Sequence, residues 1–418
     1  MFKKKIFKNG LTLITAPMKN TRSVTVLILV GAGSKYETKE KNGISHFLEH
    51  MCFKGTKKRP TALDISKEID SVGGIMNAFT GKDYTGYFIK IDSSHFELAL
   101  DVAFDVFLNS IFPKEEIEKE RGVILEEIKL YQDTPTHYID TLWEKLLYND
   151  QPAGWDIAGS KETVLKIQRE DFLRYIKNFY LPQNTVISVA GAIKEKVLLD
   201  KIKEYFGSVK RRKQKSKPKV KESQKKPEKL FYKKDTSQVH LALGVRAFNL
   251  FDKRRYALQI LSVILGGNMS SRLFQEIREK RGLAYYVRTQ IELNPDTGYL
   301  VSYAGVDYKN LKEAIDLIIK EYKKIKEKGV TKEEFLMAKE YIKGVFRLSL
   351  EDSENIANFY GAQYLLEKKI LTPEEKIKEI EKVKIDDIQK VAKEIFKNEK
   401  LNLAFIGRKD LKMKNFRI

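Results

Sequence analysis

Apolar and polar residues alternate along the chain with two different periods. Alternating apolar positions and short apolar runs predict strands at Leu11–Ala16, Ser23–Val30 and Tyr84–Ile91. Long charged stretches with an apolar residue at every third or fourth position predict helices. The stretch Lys114–Tyr131 follows Pro113 and has acidic residues in its first turn, as helix starts do. Runs of strands followed by runs of helices predict the α+β class.

The second half of the chain repeats the pattern of the first. Residues 166–191 align with 382–407 without a gap, at an offset of 216, and residues 112–117 align with 330–335 at an offset of 218. A chain of 418 residues is long enough for two or three domains of about 100–200 residues each. The sequence therefore predicts two homologous, duplicated domains, each an antiparallel-rich sheet packed with helices.

A basic stretch lies between the two halves. Residues 210–229 contain eleven Lys or Arg and two Glu, which gives +9 of the formal net charge of +21. Prolines and serines in this stretch are typical of an extended connector. We therefore expect an N-terminal domain at 1–209, a basic linker at 210–229 and a C-terminal domain at 230–418. Such charge suits an anionic partner, but no RNA-binding or helix-turn-helix signature accompanies it, so we expect no nucleic-acid partner.

Two of the five histidines lie close together in the pattern H-x-x-E-H, within Gly43–Met51. In a helix, His46 and His50 share one face, and Glu49 projects toward the same side. Imidazoles bind zinc, and a nearby carboxylate can take a proton from water and return it to a leaving amine. The motif predicts one catalytic zinc ion per chain, held by His46 and His50, with Glu49 as the general base.

The residues around the motif carry local predictions. Ser45 is expected to cap the start of the helix. Phe47 and Leu48 are expected to face a core. Cys52 is the one cysteine of the chain, and its apolar neighbours favour core packing over a nucleophilic role.

A catalytic zinc usually has three protein ligands, so a third must come from elsewhere. The helix-compatible run at 120–128 offers Glu120, Glu126 and Glu127. Glu120 and Glu127 are two turns apart and share a face, whereas Glu126 points about 100° away. The spacing favours Glu127 as the ligand with Glu120 in support, although a solvated acidic face gives a similar pattern.

These motifs resemble the pitrilysin and insulin-degrading-enzyme family of inverted-motif zinc peptidases. The resemblance is closest to the short, two-domain branch that includes the mitochondrial processing peptidase. It covers nearly the whole chain, through the segments Gly43–Gly55, Asn77–Thr80, Glu120–Glu127, Ser271–Phe274 and Arg278–Tyr285. It implies a third ligand 76 or 77 residues after His50 and a second glutamate seven residues before that ligand. This selects Glu127 as the ligand and makes Glu120 a residue that orients a ligand or tunes the site.

The resemblance also implies residues that bind substrate. Asn77 would contact the substrate carbonyl, and Ala78 and Phe79 would lie on an edge strand that an extended peptide joins by main-chain hydrogen bonds. In the second half, Arg278 and Tyr285 would bind the peptide and stabilise the oxyanion. An ordinary strand start at 77–79 and an ordinary charged surface at Arg278 stay open as alternatives.

The second half has no counterpart of the metal site. The two offsets bring no H-x-x-E-H pattern into its first helical region, and Val345 stands at the position of Glu127. The same metal cannot be held there, because valine has no donor atom.

Function and assembly follow from the resemblance. It implies a zinc endopeptidase that hydrolyses unfolded peptides or presequences inside a clamshell chamber between two subunits. A chain with both the zinc motif and the Arg278/Tyr285 pair is expected to form a homodimer, in which the pair of one chain serves the zinc of the other. A heterodimer with an inactive homologue is the alternative assembly, and a non-catalytic scaffold is the alternative function.

The expected location is the cytoplasm, without a membrane partner. The N-terminal residues lack an apolar signal segment, and a single cysteine fits a reducing compartment. The longest apolar run, Val24–Val30, is much shorter than the roughly 20 residues that cross a bilayer.

Overall fold

The computed structural model describes residues 2–213, 215–411 and 416–418. Within these ranges, eleven strands form two sheets. The strands are β1 (Lys3–Ile6), β2 (Thr12–Pro17), β3 (Ser23–Val30), β4 (Ile75–Thr80), β5 (Thr85–Asp92), β6 (Thr185–Gly191), β7 (Glu228–Lys233), β8 (Val239–Arg246), β9 (Ala284–Leu293), β10 (Gly298–Val306) and β11 (Leu401–Gly407).

Fourteen α-helices surround the sheets in the same ranges, so the predicted α+β class is confirmed. They are α1 (Ile44–Cys52), α2 (Ala62–Asp70), α3 (Phe96–Asn109), α4 (Lys114–Asp133), α5 (Pro135–Tyr148), α6 (Lys161–Val164), α7 (Arg169–Phe179), α8 (Glu195–Phe206), α9 (Arg255–Gly266), α10 (Leu311–Lys328), α11 (Lys332–Ser349), α12 (Ser353–Glu367), α13 (Pro373–Glu381) and α14 (Ile385–Ile395).

The first compact unit contains the six-stranded sheet, in the order β1-β2-β6-β3-β5-β4. Only β2 and β6 pair in parallel; the other pairs are antiparallel. Along β3, Val26 and Ile28 join the core cluster that includes α1 and α3, whereas Leu27 and Leu29 join the cluster that includes α12. Because helices cover both faces of this central strand, its sequence is an almost unbroken apolar run rather than an alternating one.

The second compact unit contains the five-stranded sheet, in the order β7-β11-β8-β10-β9. Again one pair, β7 with β11, is parallel, and the other pairs are antiparallel. One face of the sheet packs against α9, α10 and α14. Helix α5 covers the opposite face, where Trp143 is fully buried and packs edge-on against Tyr299.

Duplication of the domain is visible in the element bounds. Helices α7 and α14 begin and end 216 residues apart, and so do strands β6 and β11. Helices α4 and α11 begin 218 residues apart. Both offsets match those in the sequence, and the prediction of two homologous α+β domains is confirmed.

The compact units are discontinuous in sequence. The first consists of Met1–Ile128, Asp156–Pro218 and Leu348–Thr372, and the second of Lys129–Trp155, Lys219–Arg347 and Pro373–Ile418. Each sheet therefore has one face covered by a helix from the other half of the chain, α12 in the first unit and α5 in the second. The described part of 208–227 contains no helix or strand, and β7 begins at Glu228. The boundaries at 209 and 229 stay predictions.

Candidate metal centre

Helix α1 carries the H-x-x-E-H motif on one face and core residues on the other. Phe47 and Leu48 are both fully buried, as predicted. The Phe47 ring packs edge-on against Phe172 of α7, with 5.1 Å between ring centroids. This packing fixes how the helix is rotated about its axis and so directs His46 and His50 away from the core.

The prediction that Ser45 caps this helix is wrong. The N-cap is Gly43, in the left-handed region with φ of 97°, and Ser45 lies inside the first turn. The Ser45 hydroxyl instead forms a hydrogen bond with Tyr175 Oη (2.7 Å). The carboxylate of Glu37 accepts hydrogen bonds from the backbone N–H groups of Gly43 and Ser45. The cap thus comes from a residue earlier in the chain.

His46, His50 and Glu127 bring three donor groups together. The Nε2 atoms of the two histidines are 3.3 Å apart. Glu127 Oε1 lies 3.6 Å from His46 Nε2, and Glu127 Oε2 lies 3.6 Å from His50 Nε2. Among the described residues this is the one cluster of three or more His, Cys, Asp or Glu side chains with ligand atoms within 4.8 Å of one another.

The donor set fits a zinc ion. Ligand atoms about 2.0–2.1 Å from a tetrahedral zinc lie about 3.4 Å from one another, close to the observed separations. Two imidazole nitrogens and a carboxylate that converge in this way suit a cation, because their lone pairs and negative charge attract positive charge. Burial lowers the pKa of His46 to about 3, with His50 adding to the effect, so this imidazole is neutral and able to act as a ligand.

Glu127 and Glu126 differ in what surrounds them. The Glu127 side chain is about one-fifth exposed and faces the two histidines, whereas Glu126 is exposed on the adjacent face of α4. The structure thus brings together the residues that the sequence favoured.

Glu120 contacts the donor cluster through His50, on the ring nitrogen that faces away from the other donors. Its Oε2 lies 3.0 Å from His50 Nδ1, and its Oε1 pairs with Lys54 Nζ at 2.6 Å. Burial opposes ionisation of Glu120, but these two partners outweigh it and lower the pKa of the carboxyl. An ionised Glu120 holds the proton of His50 on Nδ1 and leaves the Nε2 lone pair directed at the donor cluster.

Glu49 lies beside the donors without being one of the cluster. Thr80, the last residue of β4, donates a hydrogen bond from Oγ1 to Glu49 Oε2 at 2.5 Å. Burial raises the pKa of Glu49 above its ordinary value, and the hydrogen bond from Thr80 partly opposes the shift. Spacing along the chain does not connect Thr80 with Glu49, because the contact joins a strand end to a helix 31 residues earlier.

Asn77, Ala78 and Phe79 all lie on β4, which is one edge of the described sheet. Asn77 is exposed, and its Oδ1 accepts a hydrogen bond from the Ala78 N–H (2.8 Å). The Phe79 ring packs edge-on against Tyr84 and covers the backbone at Gly86, where even a Cβ would come within 2.3 Å of the ring. Among the described residues, β4 pairs with β5 alone, which leaves the other edge of this strand open for main-chain pairing, close in sequence to Thr80, the partner of Glu49.

Arg278 and Tyr285 belong to the second compact unit, where they lie near one another. The Arg278 guanidinium is 5.9 Å from the Tyr285 ring centroid and 4.9 Å from that of Phe274. Tyr285 is 76% exposed. Glu276 pairs with Lys280 and Arg281, while Arg278, among the described residues, has no ion-pair partner.

Other predictions concern single residues. Cys52 is buried, and burial raises the pKa of its thiol to about 12, which rules it out as a thiolate nucleophile near neutral pH. Val345, the counterpart of Glu127, is half-exposed on α11. Within the described ranges, no helix combines the length and apolar character needed to cross a membrane.

Comparison with known proteins supports a peptidase relationship. Residues 13–161 match the family model described as insulinase, peptidase family M16, and residues 166–342 match the model of the peptidase M16 inactive domain. An uncharacterized zinc protease of Bacillus subtilis is 37% identical over 410 residues, which are 97% of this chain and 98% of that protein. One from Mycobacterium leprae is 34% identical over 401 residues, 95% of this chain and 90% of that protein.

Solved structures agree with this relationship. A protease from Helicobacter pylori superposes with a TM-score of 0.90 at 26% identity and covers 97% of this chain and 99% of its own. A Pseudomonas fluorescens structure described as a peptidase M16 inactive domain superposes with a TM-score of 0.90 at 16% identity, covers 99% of each chain and shows a common fold. The chain belongs to the insulinase family of peptidases, family M16.

Proposed function

We propose that this chain is a zinc-dependent endopeptidase that hydrolyses unfolded peptides or presequences. The observation that carries the proposal is the convergence of His46, His50 and Glu127 donor atoms within 3.6 Å of one another, next to Glu49. These three side chains would hold one zinc ion per chain, and three protein ligands are what a catalytic zinc site uses. When bound, zinc supplies a Lewis acid that polarises a carbonyl and makes water more acidic.

Glu49 would move the proton in this reaction. Thr80 engages its Oε2, so the other carboxylate oxygen is the one that would accept a proton from the attacking water and give it to the leaving amine. A carboxyl whose pKa is raised by burial retains the proton more readily between these two transfers. Thr80 would keep the carboxylate in one orientation throughout.

Strand β4 would bind the substrate. An extended peptide that pairs with this edge would place its main chain alongside Asn77 and Ala78, with Asn77 contacting the substrate carbonyl. Main-chain pairing recognises no particular side chain, which suits a peptidase that accepts many unfolded sequences.

The proposed assembly is a homodimer that encloses a chamber, with a heterodimer containing an inactive homologue as the alternative. Arg278 and Tyr285 of one chain would then bind the peptide in the site of the other chain and stabilise the negative charge that develops on its carbonyl oxygen. The exposure of Tyr285 supports this role, and so does the lack of an ion-pair partner for Arg278 within the part of the chain that the structure describes. The processing-peptidase-like branch of the family is part of the same proposal.

The test replaces Glu49 by glutamine. We expect Glu49→Gln to keep one zinc per chain and to lower the rate of unfolded-peptide cleavage by about 10²–10⁴-fold, as loss of a general base does. Glu126→Gln, a matched change at an exposed site, is the control and should leave both unchanged. Cleavage by Glu49→Gln at the wild-type rate would remove Glu49 from the mechanism.

The alternative function, a non-catalytic scaffold, makes a different prediction. Residues 166–342 match a domain described as inactive, which is the observation that favours this alternative. A scaffold would be purified without stoichiometric zinc and would cleave no peptide in any variant.

A further inference from the structure

The first turn of α1 cannot supply its own cap. Gly43 stands at the N-cap with φ of 97°, and a Cβ at this position would lie 2.6 Å from the carbonyl oxygen of Ala158. Only glycine fits there, since both the left-handed backbone and the close approach exclude a side chain. The usual capping residues, which use a side-chain oxygen at the N-cap, are therefore unavailable.

Glu37 takes over this task from the preceding loop. Its Oε1 accepts a hydrogen bond from the N–H of Ser45, and its Oε2 accepts from the N–H of Gly43 and from Asn42 Nδ2, all three at 2.8 Å. The residue is 5% exposed. A buried side chain whose two oxygens accept three N–H groups beside a helix N-terminus satisfies otherwise unpaired donors.

The capped turn is the one that carries the first histidine. Ser45 directly precedes His46, and α1 has nine residues, so the path of this turn sets where His46 Nε2 lies. The other end of the donor set is held separately, through Glu120 on His50. Metal ligands must keep their separations within a few tenths of an ångström, which makes the fixing of this turn matter for affinity.

We propose that Glu37 is a positioning residue for the metal centre, which fixes the first turn of α1 so that His46 Nε2 stays within reach of His50 and Glu127. The inference rests on the proposed zinc function of these residues. The Ser45 hydroxyl bond to Tyr175 is a second anchor of the same turn. Loss of Glu37 should therefore loosen the turn rather than unfold it.

The test compares two neighbouring glutamates of one loop. Glu37→Gln replaces one acceptor oxygen by an NH2 group, which cannot accept a backbone N–H, whereas Glu40→Gln makes the same change at an exposed position. Zinc affinity is measured by competition with a chromogenic chelator, and ligand geometry by the visible absorption of the cobalt-loaded protein. Glu37→Gln should bind zinc at least tenfold more weakly, change the cobalt spectrum and lower kcat more than it changes KM. Glu40→Gln should stay within twofold of the wild type in each.

Wild-type zinc affinity and an unchanged cobalt spectrum in folded Glu37→Gln would overturn the proposal. If this variant does not fold, Glu37→Asp carries the same test, because it keeps the charge but places the carboxylate one methylene short. Wild-type affinity in Glu37→Asp, or failure of both variants to fold, would assign Glu37 to the fold alone and would also overturn it. A wild-type protein that binds zinc without cleaving peptides would refute the proposed function but leave the affinity comparison valid.

Discussion

Replacing Glu120 by alanine is expected to weaken zinc binding without removing any ligand. The Glu120 carboxylate lies 3.0 Å from His50 Nδ1 and is buried, so the contact is a charge-assisted hydrogen bond. Such bonds contribute about 1.5–3 kcal/mol, which corresponds to about 10- to 150-fold in an equilibrium constant. The physical reason is that His50, once freed, can move its proton to Nε2 and rotate, and both changes withdraw the lone pair from the metal.

The assay is a chelator competition on purified protein, with a melting curve to verify folding. Glu120→Ala should lose about 10- to 150-fold in zinc affinity, and Glu120→Gln should lose less, because its amide oxygen can still accept from His50. Glu115→Ala, at an exposed position of the same helix, serves as the control. If Glu120→Ala folds and binds zinc as tightly as the wild type does, the hydrogen bond does not support the ligand.

Two further predictions concern the general base and the charged network of the first unit. Thr80→Val removes the hydroxyl that holds Glu49 but keeps the side-chain shape, so kcat should fall by up to about 100-fold while the zinc content stays unchanged. Thr80→Ser, which keeps a hydroxyl, should retain most of the wild-type rate. Equal rates in all three proteins would contradict the role of Thr80. Burial opposes ionisation of Asp101, but hydrogen bonds from Arg59 (2.8 Å) and other donors hold its pKa well below the ordinary 3.8. Because this pKa is lower in the folded protein, ionised Asp101 stabilises the fold above about pH 4, and that stabilisation is lost as the pH falls further. Asp101→Asn should therefore flatten the acid side of a plot of unfolding free energy against pH. An unchanged slope would refute the role of Asp101 in acid stability.

Much of the fold could be predicted because it depends on local periodicity. Strand β3 has the bounds expected from its apolar run, and α4 begins at Lys114, directly after the proline. The repeat offsets locate equivalent elements in both halves. Local periodicity did not predict that α5 covers the sheet of the second unit and α12 the sheet of the first. An amphipathic pattern shows that a helix has a face to bury, but it does not identify the sheet against which that face packs.

The site follows the same division between local and non-local contacts. His46, Glu49 and His50 belong to one short motif within α1, so their spacing selects them. The seven-residue spacing of Glu120 and Glu127 favours Glu127 over Glu126, and the family resemblance selects it. Their roles in catalysis stay predictions.

Glu37 and Thr80 were not selected by the sequence, for a physical reason. Glu37 acts through hydrogen bonds from the backbone of Gly43 and Ser45, and Thr80 acts through one hydrogen bond to Glu49. Contacts of this kind between separate segments leave no periodic signal. The wrong prediction for Ser45 has the same origin. Capping preferences describe the N-cap position, and here the backbone of 158–159 requires glycine at that position.

The central claim is that His46, His50 and Glu127 hold one zinc ion. The measurement that tests it most directly is the zinc content per chain of the wild type, Glu127→Gln and Glu126→Gln, by elemental analysis of the folded proteins. We predict one zinc per chain in the wild type and in Glu126→Gln, and a large loss in Glu127→Gln, whose amide oxygen is neutral and a much weaker ligand. A wild type without zinc, or a Glu127→Gln variant that keeps its zinc while Glu126→Gln loses it, would contradict the account.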